Sequence, residues 1–151
     1  MNSYYKVLEV LKGILEESEA VHTIVYGRTS DKDLFKKAIY PLVHIKPEAA
    51  IMNSSQQNVF EFSVAVLEQR DISKTQVEDK FISNDNLIDN HNLTYSILNF
   101  LVSRLRLQNN NDVEVINVSN AIPLMFTDNN LMDGWLLRIS LAIPNTVINV
   151  C

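Results

Sequence analysis

The stretch NVFEFSVAVLEQ, residues 58–69, alternates side chain by side chain over most of its length. Phe60, Phe62, Val64 and Val66 fall on one parity, and Glu61, Ser63, Ala65 and Leu67 on the other. A period of two is the pleat of a β-strand, in which successive side chains point to opposite faces. It does not fit a helix, whose apolar positions recur every three or four residues. GWLLRISLAI, residues 134–143, repeats the signal. Trp135, Leu137, Ile139, Leu141 and Ile143 share one face, with Arg138 and Ser140 on the other. Whatever this chain folds into must hold two long strands, satisfy their backbone groups in a sheet and cover an apolar face.

Two segments have the helical period that such a cover needs. In residues 3–19, Tyr4, Leu8, Leu11 and Leu15 recur at helical spacing, with Val7 and Ile14 beside them and Ser3 placed to cap. Glu16, Glu17 and Glu19 end this helix with acid where its dipole disfavours negative charge. A second helix is expected over residues 85–107, with a stripe of Leu87, His91, Tyr95, Leu98, Leu101 or Val102, and Leu105. The run QNNND stops it, because asparagine tolerates turn geometry.

The rest reads as strands and connections. VHTIVYG, residues 21–27, is a β-branched strand ending at Gly27, and LVHIK, residues 42–46, is another, closed by Pro47. Between them, Ser30 and Asp33 resemble a capping box; a short helical turn or an irregular loop fits, ended by Pro41. Residues 47–57, PEAAIMNSSQQ, read as a long polar hairpin connection, and such loops often carry function. Residues 70–86 read as a loop, and VEVINVS, residues 113–119, as a strand. The segment AIPLMFTDNN is expected to be a loop exposing Ile122, Leu124, Met125 and Phe126, where apolar side chains mark an interface unless they fold back on the sheet. Asp133 and Gly134 then form a turn or bulge that feeds the last strand, with Trp135 as a packing anchor. Consecutive strands without helices between them imply antiparallel pairing. The expected fold is therefore α+β: a mostly antiparallel mixed sheet packed against a long helix and an N-terminal helix, in a single domain over residues 1–151.

At 151 residues and 46% hydrophobic, the chain can bury a real core. A net charge of −5 argues against an electrostatic grip on nucleic acid, which needs clustered Lys and Arg. The single cysteine, Cys151, allows no intrachain disulfide and no zinc site built on thiolates. The N-terminus shows no signal-peptide pattern, and no apolar run approaches the roughly 20 residues that span a bilayer.

Catalytic motifs are not visible. The glycines at 13, 27 and 134 stand apart, so no phosphate-binding loop is expected. There is no nucleophile elbow. His22 and His44 fall in expected strands and could face each other across a sheet as the start of a metal site; ordinary hydrogen-bonded strand histidines are the better reading. His91 reads as half-buried helix packing, and the acidic clusters at 16–19 and 85–89 as solvated faces. No catalytic, cofactor-binding or metal-ligating residues are expected, and the chain is not expected to be an enzyme.

Three segments carry a resemblance. DNNLMDGWLLRISLAIPN, residues 128–145, is similar to the polar loop, G-W and alternating strand that close small neck proteins of tailed bacteriophages. TSDKDLFKKAIYPLVHIKPE, residues 29–48, resembles the short acidic segment and I-[FY]-P-L-x-H-I element of the same group. NDNLIDNHNLTYSILNFLVSRL, residues 84–105, looks like their long helix between hairpin and final strands. These segments occur in the group's order, while residues 68–83 match nothing in its pattern. The resemblance to tail-completion and tail-terminator-like proteins implies a structural virion protein of the neck or tail, assembled in the host bacterial cytoplasm. It implies a homo-oligomeric ring, hexameric or dodecameric, that completes the tail tube and joins it to the head. Its neighbours would be other neck, portal-adaptor or tail-tube proteins. DNA would pass through the lumen without specific binding, and no membrane would be involved. Candidate interface residues are Ile122, Leu124, Met125 and Phe126, with Met52 and Gln56 from the long connection; Pro41, Gly134 and Trp135 are candidate structural anchors. The alternative is a small cytosolic α+β ligand-binding or adaptor module that takes a protein partner at a sheet edge.

Overall fold

A computed structural model describes residues 3–27, 39–54, 56–70, 86–107, 113–127 and 132–144. Helix α1 spans Ser3–Glu17 and helix α2 spans Leu87–Leu107. The strands are β1 Thr23–Tyr26, β2 Leu42–Ser54, β3 Gln57–Gln69, β4 Glu114–Val118, β5 Ile122–Thr127 and β6 Met132–Pro144. They form one mixed sheet in the order β1-β2-β3-β6-β4, with β5 also paired to β6. The β1–β2 pair is parallel and all others are antiparallel. The expected short turn after Ser30 and the loop over residues 71–85 lie outside the described residues.

Both helices lie on one face of the sheet. Val7, Leu11, Ile14 and Leu15 of α1 and Ile97, Leu98, Leu101 and Leu105 of α2 are buried with Phe62, Val64 and Val66 of β3 and Leu137, Ile139, Leu141 and Ile143 of β6. The parities read from β3 and β6 are the ones that face this core. The opposite parity of β3 is also apolar at its C-terminal end, and Ala65 and Leu67 pack with Val25, Leu42 and Met132 on the other face. The α2 stripe is rotated from the expected one: Asn90, Thr94, Ile97, Leu98, Leu101 and Leu105 are buried, while Tyr95 is half exposed. Two polar residues hold core positions here, which an apolar count passes over.

Three connections are corrections. Pro47 does not end a strand, because β2 runs through it to Ser54. β1 pairs with β2 only from Leu42 to Ile45, and Pro47 lies beyond that pairing, beside a register shift between Pro47 and Ala49. A residue without an N–H is tolerated on such an open edge or at a bulge. The connection to β3 is thus a tight hairpin, with Ser54 opposite Gln57 and Gln56 at φ 64. Residues 122–127 are not a loop but β5, paired to β6 with Ile122 opposite Leu136. Asp133 and Gly134 are not a turn: both are inside β6, opposite Glu68 and Leu67.

β4 and β5 share one edge of β6. β4 pairs with residues 139–142 and β5 with residues 132–136. Ser119 stitches the gap: its N–H donates to Arg138 O at 2.8 Å, and the Arg138 N–H donates to Ser119 Oγ at 2.8 Å. The result is an interrupted edge strand.

Candidate functional site

Pro41 lies where β1 and β2 begin. It is buried, and its carbonyl accepts the N–H groups of His22 at 3.1 Å and Thr23 at 3.3 Å. Gly27 ends β1 at φ +109, a conformation in which L side chains are strained. Its N–H donates to Ile45 O at 3.0 Å, closing the parallel pairing. Its carbonyl accepts the ring N–H of His44 (Nε2) at 2.6 Å, while His22 Nδ1 donates to Tyr40 O at 3.0 Å. The two histidines therefore hold separate backbone carbonyls and do not face each other. Among the described residues no group of three or more His, Cys, Asp or Glu side chains could hold a metal ion.

Burial lowers the pKa of His44 below its ordinary 6.5, with the Gly27 hydrogen bond opposing and Lys46 adding to the shift. A depressed pKa contributes stability that is present above the unfolded value and is lost as pH falls through the folded one. The protein is therefore expected to lose stability as the pH drops below about 6.5, before its carboxylates titrate. Urea midpoints at pH 7.5 and 5.5 check this, and His44→Asn should flatten the difference.

Trp135 packs against the core and is half-buried. Its indole N–H donates to His91 O at 2.9 Å, and Tyr95 meets it edge-on at 5.8 Å between ring centroids. His91 Nε2 in turn donates to Leu124 O at 3.0 Å, so the start of α2 is tied to β5 and β6 together. Trp135→Phe is expected to cost about 1 kcal/mol by removing the indole donor to His91 O, which leaves that carbonyl with Thr94 Oγ1 at 3.3 Å. Thermal melts by circular dichroism would read that loss.

A buried ion pair escaped the sequence reading. Arg70, just past β3, donates from Nε to Asp133 Oδ2 at 2.7 Å and from Nη2 to Asp133 Oδ1 at 2.8 Å. Asn90 of α2 donates to the same carboxylate at 3.3 Å and to Gln69 O at 3.4 Å. Arg70 and Asn90 are almost fully buried and Asp133 completely so. The pairing register puts Asp133 opposite Glu68 and brings Arg70 beside it, although the two residues are 63 positions apart. One signal was available: Asp133 continues the parity of Trp135, Leu137 and Ile139, so a carboxylate sits on the core-facing line of β6.

The candidate interface residues separate onto the two lateral margins of the sheet. On one side, residues 46–54 of β2 extend past the end of β1, and every residue from 46 to 52 is exposed. Met52 is 85% exposed, Ile51 is 51% exposed, and Gln56 is exposed at the hairpin tip. On the other side, Ile116 of β4 and Ile122 and Met125 of β5 are each at least half exposed. Leu124 is not among them: it is half-buried and packs on the outer apolar cluster. Phe126 belongs to β5, and its side chain lies outside the described residues. Near the base of β2, Ser63 donates to Glu48 at 2.7 Å and lowers that carboxyl's pKa, with Lys46 beside it.

A groove of about 760 Å³ runs between α1 and β1, lined by Tyr5, Leu8, Lys12, Glu16, His22 and Tyr26 among others. No described helix is long and apolar enough to cross a membrane. The chain matches no protein-family model, and no curated protein sequence matches it.

Proposed function

We propose that this chain is a structural protein of a tailed-phage neck or tail end, forming a ring that completes the tail tube and joins it to the head. The observation that carries the reading is the placement of exposed apolar side chains, Met52 and Ile51 on one margin of the sheet and Ile116, Ile122 and Met125 on the other. A ring needs two different surfaces on each subunit, meeting head to tail. A subunit with one sticky patch makes a dimer instead. The resemblance in residues 29–48, 84–105 and 128–145 supports the same reading, with helices and hairpin in the order it implies. A net charge of −5 suits a channel through which phosphate passes without sticking.

The test is capping. Added to polymerising tail-tube protein of its own phage, the chain should halt tube growth and appear at tube ends in negative stain. Unchanged tube lengths with bare ends would overturn the reading. The α1–β1 groove favours the second reading, a module that binds an extended peptide or small ligand. Alanine at Tyr5 and Tyr26 should leave capping intact if the first reading holds and abolish partner binding if the second does.

A further inference from the structure

Natural sheets protect their edges with short strands, charges, prolines or a covering element. β2 is protected only in part. β1 covers Leu42 to Ile45, and Lys46, Pro47 and Glu48 follow as edge-blocking residues. From Ala49 to Ser54 the sequence is AAIMNS, with no charge and no proline, and no described strand pairs with it on that side. The far margin is similar in charge, though β5 holds one proline, Pro123. Residues 115–127 of the β4–β5 edge carry no charge, and among the described residues no strand lies beyond them. In a chain of net charge −5, two uncharged edges meet without repulsion.

Polarity decides how they meet. β2 is antiparallel to β3 and β3 to β6, so β2 and β6 point the same way. β4 and β5 are antiparallel to β6. Two copies side by side in the same orientation therefore present an antiparallel pair, β4–β5 against β2. The rows of the sheet also run from one open edge to the other: Ile51, Val59, Ala142 and Glu114 form one row, and Pro47, Phe62, Ile139 and Val118 another. β1 fills the lower part of the β2 margin, so the incoming edge must lie above it and neighbouring copies are offset along the strands. Closing a sheet on itself requires such a stagger.

We propose that the open part of β2, residues 49–54, pairs antiparallel with the β4–β5 edge of a second copy, so that the sheet continues from subunit to subunit. The inference rests on the ring reading and names the surfaces that build it. Main-chain hydrogen bonds supply the attraction, and Ile51, Met52, Ile122 and Met125 bury their exposed faces across the joint.

The test uses two full-length variants, Ile51→Lys with Met52→Lys on one margin, and Ile122→Lys with Met125→Lys on the other. All four residues are at least half exposed, so both variants should fold, with circular dichroism spectra matching wild type. Native mass spectrometry should show a closed oligomer for wild type and monomers for each variant alone. An equimolar mixture should give one-to-one dimers and no ring, because one good edge of each kind remains. Either variant forming wild-type particles would overturn the edge pairing, as would a mixture that stays monomeric or a wild type that never associates. Wild-type rings that assemble through these edges but leave tube growth unchanged would sink the tail-completion reading and leave the edge pairing standing.

Discussion

Asp133→Ala should destabilise the fold by about 3–5 kcal/mol, because it takes the carboxylate away from the buried Arg70 guanidinium. The carboxylate takes two guanidinium hydrogen bonds and one from Asn90, and Asp133 itself is completely buried. Breaking such a pair strands a charge in a medium that cannot solvate it, which is a larger loss than the net worth of the pair itself. Replacing both partners is a different experiment. Arg70→Met with Asp133→Leu removes both charges, and most of the lost stability should return. Urea unfolding followed by the fluorescence of Trp135, the sole tryptophan, measures both variants against wild type. A single variant that loses less than about 1 kcal/mol would mean that Arg70 reaches solvent when Asp133 is gone.

Gly134→Ala is the second large effect, from the adjacent residue and by another mechanism. A Cβ built on Gly134 would lie 1.8 Å from the carbonyl oxygen of Val66 and 2.9 Å from its carbonyl carbon. Both are backbone atoms of the central strand β3, so no rotamer change relieves the contact. The chain must shift β3 against β6 near the end of their pairing, where Gly134 lies opposite Leu67, and overpacking of that kind costs about 3 kcal/mol. The glycine is required by close approach of two strands and not by an unusual φ. Gly134→Ala should therefore lower the unfolding midpoint sharply, and Gly134→Val should give little soluble protein. A midpoint for Gly134→Ala within a degree or two of wild type would show that the two strands separate easily at this point.

Much of the α+β frame was legible because β3 and β6 have a clean period of two and α1 a clean helical one. The faces assigned to Phe62, Val64, Leu137 and Ile139 are those that meet the helices. The misreadings share a cause: local punctuation was given its usual meaning where tertiary pairing had assigned another. Pro47 signals a strand end, yet an open edge asks no N–H of it. Asp133 followed by Gly134 signals a turn, yet the register uses the aspartate for a buried ion pair and the glycine for clearance. The apolar run at 122–126 looked like an exposed loop because its partner strand, β6, follows across a connection whose geometry the sequence does not specify. Of the candidate interface residues, Met52, Ile122 and Met125 are exposed and Leu124 packs inward, a distinction that depends on which side of β5 faces the outer cluster. That the exposed ones divide between opposite margins follows from strand order, which no local pattern encodes.

The ring proposed for this chain closes through two unlike edges. Native mass spectrometry of the wild-type protein, over a wide range of concentration, tests it most directly. The prediction is a single discrete assembly, of six or twelve copies, in equilibrium with monomer and without a dominant dimer. A strict monomer at every concentration, or a dimer that grows no further, would contradict it.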